Sequence, residues 1–273
     1  MLRLARAAAA AFLVVALASC RMDSAKPLIV AHRGASAAAP ENTLAAFRLA
    51  WKQGADAIEG DFRLTADGEM VCLHDPTTER TGDRALTAAD VALADLKEVD
   101  VGAWKGPAWA GERIPTLLEV LRTVPRHGRI FIELKSGPEC LGAVQAAIGR
   151  SRLRADQVVL ICFDERVVQA ARRRLPEHRA LWITAFERDG AGGWRPAAAE
   201  ILATLDRCGA AGLDAQARPE AISEELRRGL AERGLDLAFW TVDEPEPARA
   251  LIALGAGALT TNRPAELRRA LGL

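Results

Sequence analysis

The stretch "LDLAFWTVDEPEPARALIALGAGALTT", residues 235–261, holds a strand, a helix and a second strand in quick succession. Leu237–Val242 is an apolar run of strand length, Glu246–Leu254 has the length and amphipathic pattern of a helix, and Ala258–Thr261 is apolar again. Short connections of this kind imply parallel strands joined by a right-handed crossover. The same alternation extends outward through the chain. Strand candidates are Leu28–His32, Ala57–Phe62, Met70–His74, Arg129–Lys135, Gln157–Cys162, Ala180–Thr184 and Gly212–Ala215. Helix candidates between most of them are Asn42–Gln53, Leu117–Thr123, Glu139–Ser151, Glu165–Leu175, Pro196–Cys208 and Glu220–Arg233. With Met70–His74 set aside as an extra strand beside the second, eight strand–helix units remain. The expected fold is therefore α/β, a closed (β/α)8 TIM barrel. A doubly wound open sheet is the runner-up, but no Gly-rich dinucleotide fingerprint follows any strand.

Residues 76–111 break the rhythm. They have few long apolar runs, several Gly and Pro, and two tryptophans, Trp104 and Trp109. This is read as a small insertion after the second strand, placed as a cap or long loop over the barrel mouth. A surface extension packed on the barrel is the plainer alternative.

Half the residues are apolar, and 36 Lys+Arg balance 36 Asp+Glu. That is a globular composition, with no electrostatic case for nucleic acid or an anionic membrane surface as the main partner. The first residues differ in kind. Arg3 and Arg6 precede an apolar stretch from Ala7 to Ala18, which is too short for a spanning helix, and Leu17-Ala18-Ser19-Cys20 follows. That order resembles a bacterial lipobox, the plainer alternative being an ordinary cleaved signal with a chance Cys. The expectation is a lipoprotein signal peptide over residues 1–19, lipid attachment at Cys20, a polar tether over 20–27, and the barrel over 28–273. It implies an exported protein held on the periplasmic side of a bacterial envelope by its anchor alone. Cys72, Cys140, Cys162 and Cys208 show no CxxC or zinc-like spacing, and their pairing is left open.

The chemistry sits in residues 57–75, "AIEGDFRLTADGEMVCLHD". Side chains alternate along a strand, so Glu59 and Asp61 face one way and Gly60 the other. Two carboxylates in a buried strand are costly unless paired or bound to a cation. "IFIELK", residues 130–135, repeats the pattern with Glu133 and Lys135. Three carboxylates at the C-terminal ends of barrel strands make a hard oxygen site for one divalent cation, Ca2+ or Mg2+ rather than zinc. His32 and Arg33 end the first strand, and His74 ends the hairpin. The other two histidines, His127 and His178, lie in Pro-, Arg- and Gly-rich connections and read as surface residues. Two histidines can serve as base and acid around a transferring group. Arg33 offers a planar fork for phosphate and Lys135 a point charge. The set suits phosphodiester cleavage.

"AHRGASAAAPENTLAAF" (31–47), "AIEGDFRLTADGEMVCLHDPTTERT" (57–81), "IPTLLEVL" (114–121), "IFIELK" and "FWTVDEPEPARALIALGAGALTTNRP" (239–264) together resemble the glycerophosphodiester phosphodiesterases. The resemblance runs in order over nearly all of Leu28 to Leu271. It implies a (β/α)8 barrel with an insertion after the second strand, and hydrolysis of a small-molecule glycerophosphodiester to glycerol 3-phosphate and an alcohol. By motif position it implies His32 and His74 as the acid–base pair, and Glu59, Asp61 and Glu133 as cation ligands. It implies Arg33 and Lys135 as phosphate contacts, Trp240 as an aromatic near the substrate glycerol, and Glu41 as a polar residue beside the first histidine. Two routes stay open: attack on phosphorus by the substrate's own hydroxyl, giving a cyclic phosphate, or direct attack by water. The chain departs from the family pattern at Gly60, where a bulky apolar residue is common, and at Asn262, where Asp is common. Gly60 is expected to bear on packing between barrel and helix. Two competing readings are a phospholipase C/D-like enzyme acting on intact phospholipid, and a catalytically silent binding lipoprotein. The first needs an exposed apolar rim, and the second is disfavoured because no member of the constellation is missing.

Overall fold

The computed structural model describes residues 26–273. The expected signal peptide at 1–19, the lipid attachment at Cys20 and most of the tether lie outside the described residues. Among the described residues, no helix is long and apolar enough to cross a membrane.

Eleven strands occur in the described residues: β1 (Leu28–Ala31), β2 (Ala57–Leu64), β3 (Met70–Cys72), β4 (Arg129–Leu134), β5 (Val158–Cys162), β6 (Arg179–Thr184), β7 (Glu187–Arg188), β8 (Trp194–Arg195), β9 (Gly212–Gln216), β10 (Asp236–Trp240) and β11 (Ala258–Thr261). Eight of them form a parallel ring, β1-β2-β4-β5-β6-β9-β10-β11, which closes where β1 pairs with both β2 and β11. The α/β barrel expected from the alternation is the fold. The extra strand β3 pairs antiparallel with the end of β2, and β7–β8 is a small separate hairpin.

Nine helices accompany the strands in the described residues: α1 (Leu44–Lys52), α2 (Leu93–Lys97), α3 (Leu117–Leu121), α4 (Leu141–Ser151), α5 (Glu165–Arg174), α6 (Ala198–Cys208), α7 (Glu224–Glu232), α8 (Pro245–Ala253) and α9 (Pro264–Leu271). All but α2 follow barrel strands. Two apolar layers result from strand alternation. Val30, Ala57, Phe131, Val159, Leu181, Ala238 and Ala258 fill the barrel. Residues of the opposite parity, such as Ile58, Phe62, Ile132 and Leu160, pack outward against the helices. On β2, Ile58, Gly60 and Phe62 face the helices, so Glu59 and Asp61 face the barrel interior. A Cβ on Gly60 would lie 3.0 Å from Phe47 Cζ and 3.3 Å from Cys72 Sγ. The ring of Phe47, on α1, fills the space that a bulky residue at 60 would occupy.

The insertion between β3 and α3 carries α2 and several single 3-10 turns. It has an apolar core of its own made of Val71, Leu73, Ala88, Leu96, Val99, Val101 and Ile114. It reaches the mouth at Lys105, whose Nζ donates to the Ser36 carbonyl at 2.8 Å. His178 corrects an expectation: it is buried, 5% exposed, beneath the barrel where α5 leads into β6. Arg172 donates to its carbonyl oxygen at 3.0 Å and covers the connection. All four described cysteines are free and buried.

Candidate active site

The loop from β1 to α1 turns sharply at the mouth. Arg33 (φ 54°), Gly34 (φ 79°) and Asn42 (φ 59°) are left-handed. A Cβ on Gly34 would fall 2.6 Å from the Ala46 carbonyl carbon, so glycine lets the loop lie on α1. Thr43 caps α1 by accepting from the Ala46 N–H at 3.2 Å. Asn42, beside that cap, does something else. Its Nδ2 donates to Asp61 Oδ2 at 2.9 Å, and its Oδ1 accepts from the Asp61 N–H at 3.2 Å.

Register brings the acids together. Asp61 pairs with Glu133 across β2 and β4. One carboxylate oxygen from each of Glu59, Asp61 and Glu133 lies within 4.8 Å of the others, and all three residues are buried. Asp61 also meets Arg33 Nε at 3.1 Å and Lys135 Nζ at 3.2 Å. The Lys135 ammonium is shared with Glu133. Burial works to raise the Asp61 pKa, but the Lys135 and Arg33 charges outweigh it and hold the group at about 2. Glu133 is pushed up to about 7, by burial first and then by the Asp61 charge. Glu59 is pushed well above the carboxylate range by burial and by the Asp61 and Glu133 charges. Its Oε1 is buried and takes no hydrogen bond among the described residues. Three carboxylates held so tightly that two resist ionisation, one with an orphaned oxygen, are a donor set that fits a divalent cation.

His32 and His74 line one cavity of about 230 Å³, together with Arg33, Glu59, Glu133, Lys135, Trp240 and Asp214. The two histidines are held differently. Asn262 Nδ2 donates to Asp243 at 2.7 Å, so Asn262 Oδ1 is the acceptor that faces His32 Nδ1 at 2.8 Å and takes the Ser36 hydroxyl at 2.7 Å. His32 therefore carries its proton on Nδ1, and its Nε2 lone pair faces the cavity, 4.0 Å from Glu59. Burial, and then the Arg33 charge, lower its pKa. His74 Nδ1 instead meets the Asp75 carboxylate at 2.6 Å. Arg63 holds the His74 carbonyl through Nε (3.0 Å) and Nη2 (2.6 Å). Glu41 accepts from Arg33 at 2.9 Å and from Arg80 at 2.8 and 2.9 Å. Burial works to raise the Glu41 pKa, but the Arg80 hydrogen bonds and the Arg33 charge win and lower it. Trp240 stacks edge-on against Phe163, with centroids 5.5 Å apart.

Every site residue expected from the sequence within the described region is at this mouth: His32, Arg33, Glu41, Glu59, Asp61, His74, Glu133, Lys135 and Trp240. Arg33 is already engaged by Glu41 and Asp61 rather than free in the cavity. Sequence reasoning missed Asn42, Arg63, Asp75 and Arg80 as supports. It also missed Asp214, an inward-facing acid on β9 whose pKa is pushed up to about 8, by burial first and then by the Glu133 charge. The signal was present in "GLDAQ", residues 212–216, a charge inside an apolar strand as in β2.

The glycerophosphoryl diester phosphodiesterase family model matches residues 32–266, which take in the chain from the end of β1 into α9 and every one of these residues. The chain belongs to this family. It is 33% identical over 254 residues to the glycerophosphodiester phosphodiesterase of Caldanaerobacter subterraneus subsp. tengcongensis, covering 89% of this chain and 96% of that protein. A phosphodiesterase of Oleispira antarctica, solved in complex with the product sn-glycerol-3-phosphate, superposes with a TM-score of 0.76 at 27% identity, over 90% of this chain and 97% of that one. A glycerophosphodiester phosphodiesterase from Agrobacterium tumefaciens gives a TM-score of 0.71 at 26% identity, over 89% and 100%. Asn262 and Gly60, the two positions expected to depart from the family pattern, each have a defined neighbour: His32 for the first, Phe47 for the second.

Proposed function

We propose that the protein hydrolyses glycerophosphodiesters to glycerol 3-phosphate and an alcohol, with one divalent cation, Ca2+ or Mg2+, and a His32–His74 acid–base pair. The observation that carries this reading is one cavity lined by two histidines, two cationic side chains, Glu59 and Glu133, with Asp61 buried in the same carboxylate cluster. Glu59, Asp61 and Glu133 would hold the cation, which supplies charge neutralisation for a bound phosphate. His32 is neutral with Nε2 open to the cavity, so it takes the proton from the attacking oxygen. His74, tied by Nδ1 to Asp75, then delivers one to the departing alkoxide. Lys135 and Arg33 draw the phosphate in, and their carboxylate partners fix where they stand. Trp240 and Phe163 offer an apolar wall to a carbon backbone. The same two routes remain, an internal hydroxyl or water as nucleophile.

The test is hydrolysis of glycerophosphocholine with and without EDTA, run beside His32→Ala and Glu59→Ala, with melting temperature followed as Ca2+ or Mg2+ is added. EDTA is expected to abolish turnover, His32→Ala to cost at least ~100-fold in kcat, and added cation to raise the melting temperature of wild type but not of Glu59→Ala. Full activity in EDTA would remove the cation from the reading. Turnover of intact phospholipid in place of glycerophosphocholine would favour the phospholipase alternative. We propose also that residues 1–19 are a signal peptide and that Cys20 carries lipid, which the order of Arg3, Arg6, the apolar stretch and Cys20 supports.

A further inference from the structure

Asp214 is a cavity-lining acid that the chemistry above does not employ. It sits in the middle of β9 and is 2% exposed. Its Oδ1 is fully buried and accepts no hydrogen bond among the described residues. The cavity it lines has an apolar part, Ile161, Ile183 and Trp240 with Thr260, beside the charged part that holds Glu133, and Ile183 is the neighbour of Asp214 on β6. Its carboxylate stands outside the set of oxygens that Glu59, Asp61 and Glu133 bring together. A support residue would resemble Asn42 or Asp75, each saturated by its neighbours, whereas Asp214 supports nothing through its side chain. Beyond the sheet ladder, its backbone oxygen takes the Trp240 indole N–H at 3.3 Å. An unpaired carboxyl oxygen in an apolar wall is a standing cost to the fold, and such a group persists where a ligand satisfies it.

The ligand chemistry follows from the surroundings. An acid between aliphatic side chains and an indole suits a short carbon chain that carries hydroxyl groups: carbon against Trp240 and the isoleucines, hydroxyl toward the carboxyl. The acid accepts such a hydrogen bond in either protonation state. The other half of a diester has a separate place. A second pocket of about 230 Å³ opens outward on the far side of Arg33, lined by Ser36, Trp104, Lys105, Asn262 and Arg263 among others.

We propose that Asp214 is a specificity-determining residue that accepts a hydrogen bond from a hydroxyl on the glycerol half of the substrate. The proposal rests on the phosphodiesterase reading and deepens it. Asp214 makes the inner end of the cavity a reader of free hydroxyls, and a glycerol hydroxyl blocked by an acyl group or absent leaves the buried oxygen without a donor. Sites of this kind reject the hydroxyl-lacking analogue strongly.

The experiment compares kcat/KM for glycerophosphocholine with two analogues that each lack one hydroxyl, the phosphocholine diesters of propane-1,2-diol and propane-1,3-diol. The first keeps the hydroxyl next to the ester and so stays reactive under either nucleophile. Wild type is expected to lose at least ~30-fold on one analogue, and that penalty to shrink below ~3-fold in Asp214→Leu. Asp214→Asn, nearly isosteric and still an acceptor, should retain most of it and stands in if the leucine variant does not fold. An undiminished penalty in Asp214→Leu overturns the proposal. So does a fall in Ca2+ affinity, titrated directly, with the hydroxyl penalty intact, because that result makes Asp214 a cation ligand. If wild type hydrolyses no glycerophosphodiester, the parent reading has failed. The same variants are then compared by calorimetric binding of sn-glycerol 3-phosphate, where equal affinity in wild type and Asp214→Leu overturns the role of Asp214.

Discussion

A methyl group at residue 60 would stand 3.0 Å from Phe47 Cζ, and Phe47 is completely buried with no free side to move into. Overpacking of this kind costs about 1–3 kcal/mol, and the entropic gain of Gly→Ala returns only about 0.4–1 kcal/mol. Gly60→Ala should therefore lose about 1 kcal/mol, seen as a melting temperature a few degrees lower, while kcat changes little because the glycine faces away from the carboxylates. Phe47→Leu in the same chain should recover much of the loss. No recovery would mean that Phe47 is not what the glycine makes room for. A second prediction concerns pH. Asp214 near 8 and Glu133 near 7 hold protons in the folded state that an unfolded carboxyl releases near 4. The folded state then binds more protons than the unfolded one, so these groups make the cation-free protein lose stability as pH rises from about 4 toward 8. Asp61, held at about 2, works in the other direction and only between about 4 and 2. His32, with its lowered pKa, opposes the trend below about 6.5. The comparison that isolates Asp214 is urea unfolding in EDTA from pH 5 to 8.5, wild type against Asp214→Asn. The variant should lose less stability over that range, and parallel curves would rule the assignment out. At this scale the sequence exposed the three clustered carboxylates and the histidines because each is a charge inside or at the end of an apolar strand. It hid Asn42, whose role depends on a left-handed backbone that no local pattern announces.

The barrel strands were legible to within a residue or two. In a parallel sheet both faces are buried, so each strand is a continuous apolar run that stops where the chain meets water. The insertion was not legible in the same way. Its core residues Ala88, Leu96, Val99, Val101 and Ile114 are scattered singly and meet only after the chain has turned on itself. Residues 76–111 therefore look coreless in one dimension. The β7–β8 hairpin escaped for the opposite reason, since it has almost no apolar content to signal it. Because the insertion has a small core separate from the main one, it should open independently. Leu96→Ala, at a fully buried position, is expected to cost about 2–4 kcal/mol locally. Amide exchange should quicken across residues 84–114 and stay slow in β4 and β5. Uniform acceleration through the barrel would show that the two cores are one cooperative unit. Lys105 and its contact with Ser36 would loosen with the insertion, so KM is expected to rise more than kcat falls.

All eight barrel strands run the same way, and that fixes which end of the molecule each terminus occupies. The ring is completed by β1 between β2 and β11, so the first strand and the last share an edge. His32 and Glu133 mark the C-terminal ends of their strands, while Leu28 opens β1 at the other end of the barrel. The described chain therefore enters β1 at the face opposite the cavity. A lipid on Cys20, joined by a tether of roughly 3.5 Å per residue at full stretch, would bring that closed face to the bilayer and turn the cavity toward the water. Replacing Cys20 by Ser should move the protein from the membrane fraction to the soluble fraction with its kcat for glycerophosphocholine unchanged. A variant still sedimenting with membranes would refute the anchor. An enzyme anchored in this way would be a poor scavenger of lipids in its own leaflet. It would draw its substrates from solution, and the membrane would give it a fixed address without supplying its substrate.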